Sequence, residues 1–265
     1  MAELQRLKKQ RVAESFSRAA GSYDRVADLQ RAVGQRLTEF LPTCKPQVVM
    51  DLGCGTGFFG GQLRSTYPEA SLLNLDLAEG MLQYARKHRP HKHAHWICGD
   101  AEALPLKSQS VDLVFSSLAI QWCEQPALLF SEVARVLKPG GYFVAATLGP
   151  DTLQELRRAW AAADDFVHVN RFIPLHDLQA DLPVNLACHQ QFEEIRLLRY
   201  TQLKQLTDEL KELGAHNVNQ GQASGLTGRQ QIRQFRAAYE AQRLNDDDML
   251  PATYQIYYLV FQRTY

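Results

Sequence analysis

The sequence has no excess of charge of either sign. Its 265 residues carry 29 Lys and Arg against 29 Asp and Glu. A balanced chain has no global field for gripping nucleic acid or an anionic membrane, so recognition through charge has to be local. Long apolar runs are also missing. Stretches such as Tyr142 to Leu148 are of strand length, far short of a membrane span. The five cysteines (Cys44, Cys54, Cys98, Cys123, Cys188) are odd in number, scattered and without CxxC spacing. That usage excludes a disulfide scaffold and reads as a reduced, cytoplasmic protein. Met1 to Lys9 is too polar for a signal peptide. No internal repeat occurs, and Asp246-Asp247-Asp248 is the one short biased tract.

What is present alternates in period. Val26, Leu29, Val33, Leu37, Phe40 and Leu41 recur at helical steps and predict an amphipathic helix ended by Pro42. A shorter helix with Val12, Phe16 and Ala19 on one face is expected before it, stopping near Gly21. From residue 47 the pattern becomes βαβ. Strands are predicted at 47–51, 71–76, 94–98, 111–116 and 141–147, with helices at 58–66, 78–88 and 126–137 between them. Lys138-Pro-Gly-Gly141 reads as a turn. Residues 149–191 break the pattern, with one helical patch at 152–163, and read as an insertion over the ligand edge of the sheet. Beyond it come a strand at 192–200, helices at 201–213 and 227–243, and a final strand at 254–263. The division is one domain: an N-terminal helical cap (1–45), a core (46–148), a lid (149–191) and C-terminal strands and helices (192–265).

The chemistry starts at Asp51-Leu-Gly53-Cys-Gly55-Thr-Gly57, where the first strand meets a helix. Glycines there allow a tight turn and close approach of a ligand to the backbone. Gly55-Thr-Gly57-Phe-Phe-Gly60 also matches the dinucleotide pattern GxGxxG. Asp51 decides against a dinucleotide, because a carboxylate repels a pyrophosphate that wants bare amides. A ligand with an ammonium group and no phosphate, S-adenosylmethionine, welcomes that acid. Asp76 ends the second strand, where a carboxylate accepts from ribose hydroxyls; this indicates a nucleoside without choosing which. Asp100, in Gly99-Asp-Ala101, ends the third strand, where its side chain can accept from an adenine amine. Each acid alone could be a helix cap. Three at successive strand ends point to one cofactor.

These motifs, with Phe115-Ser-Ser-Leu118 and Leu137-Lys-Pro-Gly-Gly141, resemble the Rossmann-like class I methyltransferases over roughly residues 47–147. The resemblance implies a mostly parallel seven-stranded sheet with helices on both faces. It also implies a cofactor set of Asp51, Gly53, Gly55, Gly57, Asp76, Met81, Asp100, Ala101 and Ser116. Outside that core, Val12 to Ala20 with Tyr23-Asp24, Leu118-Ala-Ile-Gln121-Trp122, Gly225-Leu-Thr-Gly228 and Leu250-Pro-Ala-Thr-Tyr254 resemble a narrower family, the malonyl-acyl-carrier-protein O-methyltransferases of biotin synthesis. The resemblance implies that the free carboxylate of a malonyl thioester on acyl carrier protein is methylated.

A carboxylate with a pKa of about 4 is ionised at neutral pH and needs no general base, so no catalytic acid or base is expected. Arg171 is the expected carboxylate clamp, with a plain surface arginine as the alternative. Tyr23 is expected over the methyl donor, and Gln121 and Trp122 beside the thioester arm; core packing is the alternative for Tyr23 and Trp122. Lys8, Lys9, Arg11, Arg18 and Arg25 lead a locally basic cap, continued by Arg31 and Arg36 and extended by Arg196 and Arg199. The cap suits docking of an acidic carrier protein, although a solvated helix face would read the same way. His88, His91, His93 and His95 invite a metal, but methyl transfer needs none and no metal is expected. A monomer without nucleic-acid or membrane partners is expected. The rivals are a methyltransferase of a free small acid or quinone, a catalytically silent binding partner, an RNA methyltransferase and a nicotinamide oxidoreductase.

Overall fold

A computed structural model describes residues 9–90, 94–215 and 228–264. Its centre is built from five parallel strands, β1 (Val48–Leu52), β2 (Ser71–Asp76), β3 (Ala94–Cys98), β4 (Val111–Ser117) and β5 (Leu137–Leu148). The inner β1 and β4 are mostly apolar runs buried on both faces. Between the strands run α3 (Gly60–Thr66), α4 (Glu79–His88) and α5 (Pro126–Val136). The seven-stranded sheet has the order β3-β2-β1-β4-β5-β7-β6. All its pairings are parallel except those of β7 (Leu250–Arg263), which runs antiparallel between β5 and β6 (Leu186–Tyr200). After β1 the chain moves to β2 on one side and later returns through β4 on the other. That reversal opens a crevice at the carboxyl ends of β1 and β4, the usual ligand position in such sheets.

A hydrophobic layer lies on each face. One holds Leu29, Val33 and Leu37 of α2 (Asp28–Thr38) with Val49, Phe115 and Val144. The other holds Leu129, Phe130 and Val133 of α5 with Met50, Val114 and Phe143. Phe130 is fully buried between Phe143 and Phe261. Truncation to Ala there costs about 3–5 kcal/mol. Among the described residues no helix is long and apolar enough to cross a membrane.

Several elements differ from their sequence pattern, among them β7, which begins at Leu250 rather than 254. α1 (Lys9–Val26) passes straight through Gly21, whose missing Cβ would meet nothing within 4 Å. An exposed glycine there costs only about 1 kcal/mol of helix propensity, too little to end a packed helix. Lys138 to Gly141 is not a free turn but lies within β5, where a register shift between Val111 and Leu113 and the positive φ of Gly140 (79°) absorb the irregularity. β6 begins at Leu186 rather than 192. At the sheet edge its residues 187–193 are exposed on both faces, so no apolar alternation marks them. The insertion is therefore 149–185, carrying α6 (Gln154–Ala161) and α7 (Leu175–Ala180). α8 (Leu203–Glu212) and α9 (Arg229–Glu240) complete the chain. Lys8, His91, His93 and most of Gly225 to Gly228 lie outside the described residues.

Candidate active site

The glycine loop leaves β1 by way of Gly53, Gly55 and Gly57, at φ of 72°, 52° and 74°. The amides of Gly53 and Cys54 both donate to the Leu75 carbonyl (2.8 and 3.0 Å), binding the loop to β2. The three glycines do different work. A Cβ on Gly55 would meet nothing within 4 Å, and this residue borders the open cleft. A Cβ on Gly57 would press on Trp96 and Ala85 (3.0 and 3.3 Å), so Gly57 serves packing and does not line the cleft as expected.

Asp76 is fixed by two backbone donors, Gly55 N–H to Oδ2 (2.8 Å) and Ala78 N–H to Oδ1 (2.7 Å). Burial pushes its carboxyl upward in pKa, opposed by those amides. Asp51 has no such partners. It is buried, and its Oδ2 accepts no hydrogen bond. Desolvation, with Asp76 nearby, pushes it up to about 7. In the same small pocket Gln30 presents a second buried oxygen without a partner, and Arg31 lines the wall. Two orphan acceptors beside a guanidinium are unusual, since buried polar atoms are normally satisfied.

The main cleft, about 820 Å³ with its mouth included, runs from this pocket along the strand ends. That volume suits a small-molecule cofactor. Its floor is Leu52, Gly53, Asp76, Leu77, Ala78, Met81, Gly99, Asp100 and Ala101, and α1 covers it with Val12, Ala13, Phe16 and Tyr23. Ser116 is not part of it. Strand alternation turns Ser116 inward, where its hydroxyl donates to the Leu52 carbonyl (2.8 Å), and Ser117 lines the cleft instead.

A second cavity, about 1080 Å³, adjoins the first. Phe16, Tyr23, Leu118 and Trp122 line both. Trp122 meets Phe16 edge-on at 5.1 Å, following a 3₁₀ turn at Ile120–Trp122. Gln121 faces the second cavity with its amide held by the Leu118 carbonyl (2.7 Å). The insertion contributes Leu153, Leu156, His168, Val169, Asn170 and Phe172, and α8 contributes Thr207 and Leu210. Arg171 is exposed and does not line it. The segment from Asn170 to Pro174 is irregular and not helical, and alternate residues point to opposite sides, so its neighbours enter while Arg171 faces out. No described lining residue of this cavity is Lys or Arg, and among them His168 is the one basic side chain.

The basic cap is partly neutralised from within. Lys9 turns into the cleft, 2.6 Å from Asp100 Oδ2 and 2.8 Å from Glu102 Oε2, which removes it from the docking face. Arg25 pairs with Glu212 (3.0 Å), and Arg31 and Arg36 pair with Asp28 and Glu39. Arg196 and Arg199 are held by Glu194 and by Asp246 and Asp247. Arg11 and Arg18 remain exposed. Among the described residues no cluster of three metal-ligating side chains exists. Gln30, Ser117, His168 and the inward turn of Lys9 were not read from sequence. Each is a lone polar residue in an ordinary helical, strand or loop context, without a motif to mark it.

A methyltransferase domain family matches residues 50–145. The malonyl-[acyl-carrier protein] O-methyltransferase of Laribacter hongkongensis is 44% identical over 94% of this chain and 88% of its own length. The protein of the same name from Hahella chejuensis is 38% identical over 96% of this chain and 91% of its own. The chain belongs to the malonyl-acyl-carrier-protein O-methyltransferase family. It is also 51% identical, over 95% of its residues, to the biotin biosynthesis bifunctional protein BioHC of Cellvibrio japonicus, of which it spans half the length. A putative methyltransferase from Bacillus halodurans shares the fold, with a TM-score of 0.64 at 14% identity, covering 88% of this chain and all of that one. The fold is thus that of the class I methyltransferases.

Methyltransferases of this family use S-adenosylmethionine, and the residues present fit it. The orphan oxygens of Asp51 and Gln30 provide acceptors for an ammonium, and Arg31 lies beside them for a carboxylate. The open face of Gly55 leaves room for the ligand against the backbone.

Proposed function

We propose that this malonyl-acyl-carrier-protein O-methyltransferase family member transfers a methyl group from S-adenosylmethionine to the free carboxylate of a malonyl thioester on acyl carrier protein. The observation that carries the reading is the shared wall of the two cavities at Phe16, Tyr23, Leu118 and Trp122. A donor lying in the first cavity and an acceptor lying in the second would meet there.

When bound, S-adenosylmethionine supplies an electrophilic methyl on a positively charged sulfur. The protein's own residues bind, orient and exclude water. Asp76 holds the ribose end, and its two backbone donors fix the carboxylate in place. Asp51, with Gln30, holds the amino-acid end. Asp100 and Ala101 border the adenine end. Tyr23 touches the methionine pocket, the cleft and the second cavity. Burial, with Asp76 and Asp24 nearby, pushes its phenol above the ordinary tyrosine range, so it stays a hydroxyl donor toward an incoming carboxylate.

A carboxylate nucleophile arrives ionised, so the chain's task is alignment rather than proton transfer. Alignment of this kind is worth up to about 7–11 kcal/mol. The apolar walls formed by Leu118, Leu148, Leu153, Leu156 and Phe172 keep water away, which favours joining two opposite charges into neutral products. His168 is the imidazole among the described residues of that cavity wall and is the partner we assign to the carboxylate. Arg11 and Arg18 face outward on α1 and are the local docking surface for an acidic carrier, which the balanced net charge requires to be local.

The test is mass spectrometry of purified protein with S-adenosylmethionine and malonyl-acyl carrier protein, beside malonyl-coenzyme A, free malonate and a quinol. One added methyl on the carrier-bound malonyl group, formed much faster than on free malonate, supports the reading. Methylation of the free acid or the quinol alone replaces the substrate. Cofactor binding with no product on any acceptor leaves a silent binding protein.

A further inference from the structure

α1 covers the cofactor cleft along most of its length and is tied down at several points. Ser15 Oγ donates to the Gly214 carbonyl (3.0 Å) and Ser22 Oγ to the Glu212 carbonyl (2.9 Å). Against α4, the Gly80 amide donates to Ser17 Oγ (3.2 Å), at a spot where a Cβ on Gly80 would lie 2.8 Å from the Ser17 backbone. These contacts hold the middle and the end of the helix. Its first described residue, Lys9, is held differently. Its ammonium reaches into the cleft to Asp100 (2.6 Å) and Glu102 (2.8 Å), the two acids beside Ala101 after β3.

Glu102 makes this pair more than a surface contact. Its side chain is 2% exposed. Its Oε1 already accepts the amides of Glu124 (2.5 Å) and Gln125 (3.2 Å), in the loop that follows Trp122. One ammonium therefore joins the roof helix, the strand end that borders the adenine and the segment behind Trp122. With Lys9 withdrawn, Glu102 would keep a buried carboxylate without a cation, which is costly. Asp100 is shared as well. Its Oδ1 accepts the Glu102 amide (2.9 Å) and its Oδ2 accepts Lys9, so an adenine amine donating to Asp100 joins the same carboxylate.

We infer that Lys9 is a latch: it closes α1 over the nucleoside end of the cleft, and its release from Asp100 and Glu102 governs how fast the nucleoside cofactor exchanges. Lys9 is thus a positioning residue, acting through Asp100 and the roof helix. The inference rests on the reading of this cleft as the methyl-donor site and is independent of which acceptor is methylated.

The experiment is stopped-flow release of S-adenosylhomocysteine from the full chain, followed by tryptophan fluorescence because Trp122 lines the cleft. Lys9→Met and Glu102→Gln are each expected to speed release about tenfold. The double variant should be no faster than Lys9→Met alone, since that change already removes both contacts of the ammonium. Lys9→Arg should release at close to the parent rate. Hydrogen exchange should rise over residues 9–16 in Lys9→Met, and Glu102→Gln, which leaves no unpaired buried carboxylate, should keep a melting temperature near the parent's. A release rate within twofold of the parent in Lys9→Met overturns the latch. Additive acceleration in the double variant does the same, because it means two unrelated effects. Failure of the parent protein to bind S-adenosylhomocysteine overturns the cofactor reading itself and takes the latch with it.

Discussion

The backbone amide of Gly55 donates to the carboxylate of Asp76 across 2.8 Å, so the glycine loop after β1 and the acid ending β2 are one hydrogen-bonded unit. The second oxygen of Asp76 accepts Ala78 N–H at the start of α4. The acid proposed to receive the ribose thus also shapes the loop beneath it. Asp76→Ala removes both the receptor and the brace. Hydrogen bonds to a charged group are worth about 1.5–3 kcal/mol, so S-adenosylmethionine affinity should fall by one to two orders of magnitude, as roughly that range implies. Calorimetric titration reads this directly. An affinity within threefold of the parent would show that Asp76 does not receive the ribose.

Asp51 makes the cofactor site sensitive to pH. Its carboxyl is pushed up to about 7 by desolvation and by Asp76, well above its value in an unfolded chain. Between about pH 4 and pH 7 the folded protein therefore holds a proton that the unfolded chain has released. The sign follows: this residue's contribution to stability falls as pH rises through that window. An ammonium placed against Asp51 favours the ionised form, so cofactor affinity should rise with pH and level off above about 7. Asp51→Asn should flatten that profile, weaken binding at pH 8, and make the ligand-free protein more stable there than the parent. Paired thermal melts and titrations from pH 5 to 8.5 check both halves.

Much of this site was legible before any coordinates. Asp51, Asp76 and Asp100 stand at the ends of successive strands, and glycine spacing marks the loop, because residues at strand ends and in a tight turn leave a local signature. The core strands β2 and β3 were readable to the residue, their apolar runs being bounded by polar turns. What escaped depends on distant packing. Whether Ser116 or Ser117 faces the cleft is a matter of strand parity that two adjacent serines cannot reveal. The extent of β6 was hidden because an edge strand needs no apolar alternation. Lys9 looked like one more cation of a basic helix, and only the fold brings it to acids more than ninety residues later.

Tyr23 lies where the three pockets meet, with its ring 6.4 Å from Phe16. Tyr23→Phe keeps that packing and deletes one hydroxyl. If the hydroxyl orients the incoming carboxylate, kcat should fall about tenfold or more while the cofactor Kd changes less than about twofold, since one hydrogen bond to a charged group is lost only in the ternary complex. A variant that loses cofactor affinity and kcat together would instead place Tyr23 in the donor site alone.

His168 is fixed at two points. Its Nε2 lies 2.7 Å from Asp164, and its ring stacks on Trp160 at 3.6 Å, with Phe235 on Trp160 at 4.0 Å. The ring is fixed on its face and on one nitrogen, in a cavity whose described lining has no Lys or Arg. An anionic acceptor entering such walls has to find a partner, because an unpaired buried carboxylate is expensive. His168→Gln should therefore raise KM for malonyl-acyl carrier protein about tenfold, the size of one lost charge-assisted hydrogen bond. Inhibition by the methylated product, which has no carboxylate, should stay unchanged. His168→Phe keeps the stack on Trp160 and separates packing from charge: it should show the same rise in KM with a parent-like melting temperature. Equal weakening of substrate and product in both variants would mean that His168 shapes the cavity wall and does not touch the carboxylate.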